Sequence, residues 1–229
     1  MLPAPALANA VTSFSTIGAG ATTLVLAHLV APRHPRRWVL VWLALFVTGV
    51  PTLAWHGWGV VMEGGRGDIW RVLDIATNLL LAYAIQLAVA GDFYSDRFRI
   101  RLAIGSAALN LAAIAGLVHE AVTGVKHYAI ALGELGGFYP GEAMLIADAF
   151  LIVGLFYAAR NQIAREAMPL LHCVTGLFLV GLGLATAHGA VVIGRVGSMH
   201  ALWHIAGGFG FIFLWAFVHV RLQSTGERT

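Results

Sequence analysis

The stretch 199–221, MHALWHIAGGFGFIFLWAFVHVR, decides the fold, because a long apolar run carries two histidines at its start. An apolar run of about 20 residues crosses the hydrocarbon core of a bilayer as a helix. His200 and His204 are four residues apart, so they lie on one face of that helix, one turn above the other. Ionisable side chains are costly inside a bilayer and usually mark functional sites. The stretch therefore predicts a membrane span whose first turns present two imidazoles to one metal ion.

Six further apolar runs of similar length precede this one. The seven predicted spans cover residues 6–31, 38–61, 69–91, 100–124, 140–159, 170–193 and 199–221. The chain is 59% hydrophobic and only 11% charged, whereas soluble domains average about 25% charged residues. No segment between the runs is long enough for a soluble domain. We predict an all-α, integral, multi-pass membrane protein in which residues 1–229 form a single seven-helix transmembrane domain.

Basic residues in the short loops predict the orientation of this bundle. The loops after spans one, three and five, with the C-terminal tail, hold ten of the 14 lysines and arginines, and the opposite side holds four. This places the N-terminus outside and the C-terminus in the cytoplasm. No basic residue precedes the first run, so we interpret it as an uncleaved helix rather than a signal peptide. The predominance of arginine over lysine, with many alanines and glycines, indicates a bacterium with a GC-rich genome, and we expect the protein in the bacterial inner membrane.

Four ionisable residues from three spans share one depth near the predicted outer surface. His56 lies near the outer end of span two, Asp74 near the outer start of span three, and His200 and His204 in the first turns of span seven. At about 1.5 Å per residue, all four fall within roughly 10 Å of the outer boundary. Three histidines and a carboxylate at one depth indicate a metal site near the non-cytoplasmic face.

This residue set is typical of a catalytic zinc site. Such a site commonly has three protein ligands and a water molecule, whose pKa the ion lowers to about 7. Asp74 can take the proton of that water and deliver it to a leaving group. Thr52, one turn before His56, can stabilise a developing oxyanion or orient Asp74. The competing interpretations are packing histidines, a threonine bonded to its own backbone, and an ion pair of Asp74 with Arg71.

Further polar residues lie at or below this layer, and three of them are candidates for orienting the ligands or binding substrate. His188, near the outer end of span six, is the strongest alternative ligand. Asn78 lies one turn below Asp74 and can hydrogen-bond to it. Asp148, deeper in span five, should face inward and be neutral or paired. Solvation near a surface is predicted for His119, Glu120 and Glu142, and an interfacial position for His28, His34, His172 and His219.

The motif residues resemble the CREST superfamily of seven-helix membrane hydrolases. Residues 52–56 (TLAWH), Asp74 and residues 200–204 (HALWH) are similar to its Ser-xxx-His on helix two, Asp on helix three and His-xxx-His on helix seven. The His-Ala-x-Trp-His form is closest to the alkaline ceramidase branch. The resemblance implies a zinc ion held by His56, His200 and His204, Asp74 as the general acid/base, and Thr52 in the serine position.

The same resemblance implies hydrolysis of a lipid amide, with a ceramide-like substrate and the membrane as the expected partners. The chain departs from the family in its threonine and in a long interval between His56 and Asp74, which leaves Asp68 as a substitute. Its first 33 residues contain no Asp or Glu, so we expect no acidic calcium site like that of the eukaryotic ceramidases. No nucleic-acid partner or obligate protein partner is indicated.

The residues alone are compatible with two other functions. A haem b electron-transfer protein would use histidines from different helices, such as His56 and His188, as axial ligands. However, His200 and His204 on one helix face suit one ion better than the two faces of a porphyrin. A receptor or transporter with a structural metal is the second alternative. A retinal protein is excluded, because the only lysine, Lys126, lies in a predicted loop.

Overall fold

The computed structural model describes residues 4–59, 68–125, 128–131, 137–186 and 199–225. Within these residues, seven helices are long and apolar enough to cross a membrane, which confirms the predicted number of spans. They are α1 (Ala4–Leu29), α2 (Arg36–Gly57), α3 (Asp68–Phe93), α4 (Asp96–Thr123), α5 (Pro140–Ala158), α6 (Met168–Thr186) and α7 (Met199–Thr225). A two-residue antiparallel ladder of β1 (Ile130–Ala131) with β2 (Gly137–Phe138) lies between α4 and α5. Two 3-10 turns, Arg160–Gln162 and Arg165–Ala167, connect α5 to α6.

Two helix ends depart from the prediction for local reasons. Helix α4 begins at Asp96 rather than at 100, because the Ser95 side chain accepts a hydrogen bond from the backbone N–H of Phe98 at 3.4 Å. This is the usual role of a serine at a helix N-cap. Helix α2 ends at Gly57 rather than at 61, and glycine is a poor helix former.

The helices pack mainly with a few neighbours. Helix α1 lies against α2 and α7, α3 against α2, α4 and α5, and α6 mainly against α7. A Cβ atom added to Gly20 would lie 2.5 Å from backbone atoms of Phe46. Helices α1 and α2 therefore approach more closely than any side chain at this position would allow.

The candidate ligands lie at one end of the bundle, which we call the histidine end. The last turn of α2 lies there beside the first turns of α7, and the rings of His56 and His200 are 4.6 Å apart. The start of α3 joins them through a contact of Thr52 with Asp74. Since these helices alternate in direction, the opposite end contains the start of α2 and the ends of α3 and α7.

A buried ion-pair cluster around Asp92 holds the opposite end together. The Asp92 side chain is fully buried and accepts hydrogen bonds from Arg37 at 2.5 Å, from the Trp38 indole at 2.8 Å and from Arg221 at 2.5 Å. These contacts join α2, α3 and α7. Removing one partner of such a buried pair is strongly destabilising, by about 3–5 kcal/mol, so the cluster fixes the relative position of the three helices that carry the candidate site.

His34 and His219, for which an interfacial position is predicted, are both buried inside the protein. They stack on Trp215 with centroid distances of 5.1 and 4.8 Å, and the Trp42 indole donates a hydrogen bond to His34 Nδ1 at 3.1 Å. Burial, followed by the charges of His219 and Arg221, lowers the pKa of His34 to about 4. The His34 ring is therefore neutral at neutral pH. His28, by contrast, is exposed.

Candidate metal centre

His56, His200 and His204 form a compact group at the histidine end. Each offers one ring nitrogen, and the three nitrogens lie within 4.8 Å of one another. The centroids of the three rings are 4.6 to 4.7 Å apart. His56 and His204 are buried, with 7% and 5% of their surface exposed, and His200 is partly buried. The predicted convergence of three imidazoles is confirmed, and the group can hold a metal ion.

Helix geometry accounts for this convergence. The spacing of four residues puts His200 and His204 on one face of α7. His56 is in the last turn of α2, which ends where α7 begins. The third ligand therefore comes from a helix distant in sequence but at the same depth.

The spacing of one pair of nitrogens, those of His56 and His200, suits a small transition-metal ion. In tetrahedral zinc sites the Zn–N distance is about 2.0–2.1 Å, which places two ligand nitrogens about 3.3 Å apart. The Nε2 atoms of His56 and His200 are 3.1 Å apart, close to that value. Neutral imidazole is a good ligand for zinc, copper, iron and nickel.

Two hydroxyl groups of α1 orient the ring of His204. The Oγ atom of Ser13 lies 3.0 Å from His204 Nδ1, and the Oγ1 atom of Thr12 lies 3.4 Å from it. Ser13 Oγ donates its own proton to the Asn9 carbonyl at 2.7 Å, so we assign it as the acceptor of the Nδ1–H of His204. This tautomer leaves the Nε2 lone pair of His204 for an ion. Sequence reasoning does not find Ser13 or Thr12, because hydroxyls in apolar helices ordinarily bond to their own backbone.

Ser13→Ala should weaken metal binding by about 10- to 100-fold, the usual effect of losing a partner that orients a ligand histidine. A competition titration against a metal-binding dye measures the change. Thr23→Val is the matched control, because Thr23 is also a buried residue of α1 but its hydroxyl bonds to the backbone carbonyls of Ala19 and Gly20. Equal affinities in the Ser13 variant and the control would contradict the assigned role of Ser13.

Asp74 is held by side chains of α2 and α3. Its Oδ1 atom lies 2.5 Å from the Thr52 hydroxyl and accepts a hydrogen bond from the Asn78 amide at 3.1 Å. Thr52 also lies 2.9 Å from the carbonyl oxygen of Thr48. Both interpretations of Thr52 thus correspond to contacts in the structure, and its single proton serves one acceptor at a time. Because Thr52 is one turn from His56, the carboxylate of Asp74 lies about one turn below that ring along α2.

Arg71 pairs with carboxylates other than Asp74. Its guanidinium lies 3.3 Å from Glu120 and 3.5 Å from Glu142, and over the ring of Tyr139 at 4.8 Å. Glu120 is buried, so the prediction that it is simply solvated is wrong, and Glu142 forms an ion pair as well. A buried guanidinium needs such carboxylate partners. The hydrogen-bond partners of Asp74 are therefore an uncharged hydroxyl and an uncharged amide.

Among the described residues, Asp148 and Asp68 do not belong to the histidine group. Asp148 faces inward as predicted, but its carboxylate accepts a hydrogen bond from Gln86 at 2.7 Å. Gln86 is about three turns, or about 18 Å, further along α3 than Asp74. Asp68 is the first residue of α3, more than one turn before Asp74. His188 lies outside the described residues.

Comparisons of this chain with models of protein families and with curated proteins gave no match. The resemblance to the CREST superfamily therefore depends on the five motif residues and on the helices that carry them. These residues are Thr52 and His56 on α2, Asp74 on α3, and His200 and His204 on α7.

Proposed function

We propose that this protein is a zinc-dependent hydrolase of amide-linked lipids that acts within the membrane, similar to the alkaline ceramidases. The observation that carries the proposal is a group of three histidines able to hold an ion, with the Thr52–Asp74 pair one turn away. Zinc sites that catalyse hydrolysis commonly combine three such ligands with an open position and a nearby acid/base group.

His56, His200 and His204 hold the zinc ion in this proposal. When bound, zinc supplies a Lewis acid that polarises the amide carbonyl and makes a coordinated water more acidic. Asp74 accepts a proton from the attacking water and delivers it to the nitrogen of the leaving amine. Water and the lipid amide thereby become a fatty acid and an amine, and Asp74 ends in its starting state.

The two oxygens of Asp74 have different tasks in this scheme. The hydrogen bonds from Thr52 and Asn78 both reach Oδ1, and they hold the carboxylate in one orientation. We assign Oδ2 to proton transfer. The Thr52 hydroxyl stands where the family has serine, and its extra methyl group leaves the hydroxyl in contact with Asp74.

The position of the group supports a lipid substrate. The three histidines lie on helices that are long and apolar enough to cross a membrane, so an amide with an apolar acyl chain can approach them from the bilayer. The site lies at the histidine end of the bundle, so the polar head group of a bound lipid can reach water. The distribution of basic residues supports an orientation with this end at the non-cytoplasmic face of a bacterial inner membrane, the N-terminus outside and the C-terminus in the cytoplasm.

The packing of the three rings disfavours a haem held by any two of them, and His188, the other predicted axial ligand, lies outside the described residues. Axial ligands lie on opposite faces of a porphyrin, whereas the ring centroids here are 4.6 to 4.7 Å apart and leave no room for a macrocycle between them. An absorption spectrum of the purified protein checks this, because a Soret band would favour haem.

Release of fatty acid from lipid amides by detergent-purified protein tests the proposed function. We expect zinc-loaded protein to cleave a ceramide, a chelator to abolish the activity, and added zinc to restore it. Re-addition of magnesium is the control, because magnesium prefers oxygen ligands and should not restore activity. If zinc-loaded protein releases no fatty acid from any of a panel of lipid amides, the proposal is wrong.

A further inference from the structure

A second polar cluster lies deep in the bundle, apart from the candidate metal centre. It consists of Gln86 on α3, Ser106 and Asn110 on α4, and Asp148 on α5, and we call it the polar core. All four side chains are buried, with exposures between 0% and 6%. Three helices therefore direct polar groups to one point where apolar packing is the norm.

The polar core lies near the middle of the membrane-spanning helices. By helical rise, Asp148 is about 12 Å from the start of α5 and about 15 Å from its end. A carboxylate at such a depth is costly unless it is neutralised. Among the described residues, no arginine, lysine or histidine forms a salt bridge with Asp148.

The hydrogen bonds of the polar core are incomplete in a specific place. The Gln86 amide donates to Asp148 Oδ1 at 2.7 Å, and the Ser106 hydroxyl donates to the Gln86 carbonyl oxygen. Within the described part of the chain, Asp148 Oδ2 and both amide atoms of Asn110 are buried without a hydrogen-bond partner. Asn110 is close enough to Asp148 for a side-chain hydrogen-bond interaction, but no hydrogen bond of normal distance and angle joins them. A cation between Asp148 Oδ2 and Asn110 Oδ1 would satisfy both oxygens.

We propose that the polar core binds a single sodium ion between Asp148 Oδ2 and Asn110 Oδ1. Carboxylate and amide oxygens are the ligands that hard cations prefer, and the Ser106 oxygen lies in the same cluster. One carboxylate neutralises one monovalent ion, whereas a divalent ion would leave a net charge in a medium of low dielectric constant. The small number of oxygens favours sodium over the larger potassium ion. The site does not depend on the proposed hydrolase activity.

Thermal unfolding of the detergent-purified protein tests this proposal. We compare sodium chloride with N-methylglucamine chloride at equal ionic strength, so that general screening is constant. Sodium binds the folded state, so the unfolding midpoint should rise with sodium concentration, and should rise less with potassium. Equilibrium binding of radioactive sodium should give one ion per chain.

Two variants of the polar core sharpen the test. Asp148→Asn keeps the shape of the side chain but removes its charge, and should abolish both sodium binding and the sodium-dependent shift. Asn110→Ala keeps the Asp148 carboxylate and should weaken sodium binding. It provides a second test if Asp148→Asn does not fold. Glu166→Gln, at an exposed position, is the control for loss of a carboxylate and should behave as the original chain does.

Sodium-independent unfolding of the original chain, together with no bound radioactive sodium, would overturn the proposal. In that outcome Asp148 carries a proton and donates it within the cluster. Unchanged sodium binding in Asp148→Asn would also overturn the proposal, because the ion would then lie elsewhere. The zinc content of every variant should stay constant, which separates this site from the histidine group.

Discussion

Replacing His204 by alanine should remove the metal from this protein. The change leaves His56 and His200 as two ligands, and it also separates the ion from the hydroxyl of Ser13. Since a metal centre gains its stability from the full ligand set, we expect bound zinc to fall from about one ion per chain to less than about a tenth. Elemental analysis of the detergent-purified protein measures this, and His200→Ala should have the same effect.

His28→Ala is the matched control for this experiment. His28 is exposed at the end of α1, and its ring lies 2.8 Å from the carbonyl oxygen of Leu24. This variant should keep the metal of the original chain, and thermal unfolding of all three variants checks that they are folded. Full metal content in both His200→Ala and His204→Ala would show that the three histidines do not share an ion.

Asp74→Asn should lower the rate of lipid-amide hydrolysis by about 100- to 10,000-fold, the usual contribution of a positioned general acid/base. Asparagine has nearly the same shape, and its amide oxygen can keep the contact that Thr52 makes with Oδ1. It cannot carry the proton between water and the leaving amine. Because Asp74 is not among the ligands, the zinc content should stay unchanged, so the assay combines fatty-acid release with elemental analysis.

Asp96→Asn is the control for this second change. Asp96 is exposed at the start of α4, where its carboxylate pairs with Arg99 at 2.9 Å, and its loss should leave the rate unaltered. An unchanged rate in Asp74→Asn with metal retained would remove Asp74 from catalysis and favour a receptor or transporter with a structural metal. Loss of metal in Asp74→Asn would contradict its role as an acid/base outside the ligand set.

The helices and the histidine group could be predicted because both depend on simple periodicities. An apolar run long enough to span a bilayer forms a helix with little help from its neighbours. The spacing of His200 and His204 fixes their common face. Counting helical rise from each predicted boundary then places His56 at the same depth, so the ligands converge although they are distant in sequence.

The contacts that complete the site could not be predicted in this way. Ser13 and Thr12 look like ordinary helix hydroxyls, and only the packing of α1 on α7 brings them to His204. The pairing of Arg71 with Glu120 likewise depends on how α3 rotates against α4. Depth along a helix is readable from a sequence, but rotation about the helix axis is set by side-chain packing over the whole bundle.

The position of Ser13, His56 and His204 on the first, second and last helices has a consequence for biogenesis. The ribosome delivers these helices in chain order, so a nascent protein inserted only as far as α6 offers one imidazole from the group. In the proposed metal-bound protein, ion capture therefore follows synthesis of α7. The bound ion then links α7 to α2, and supply of the metal completes assembly of the site.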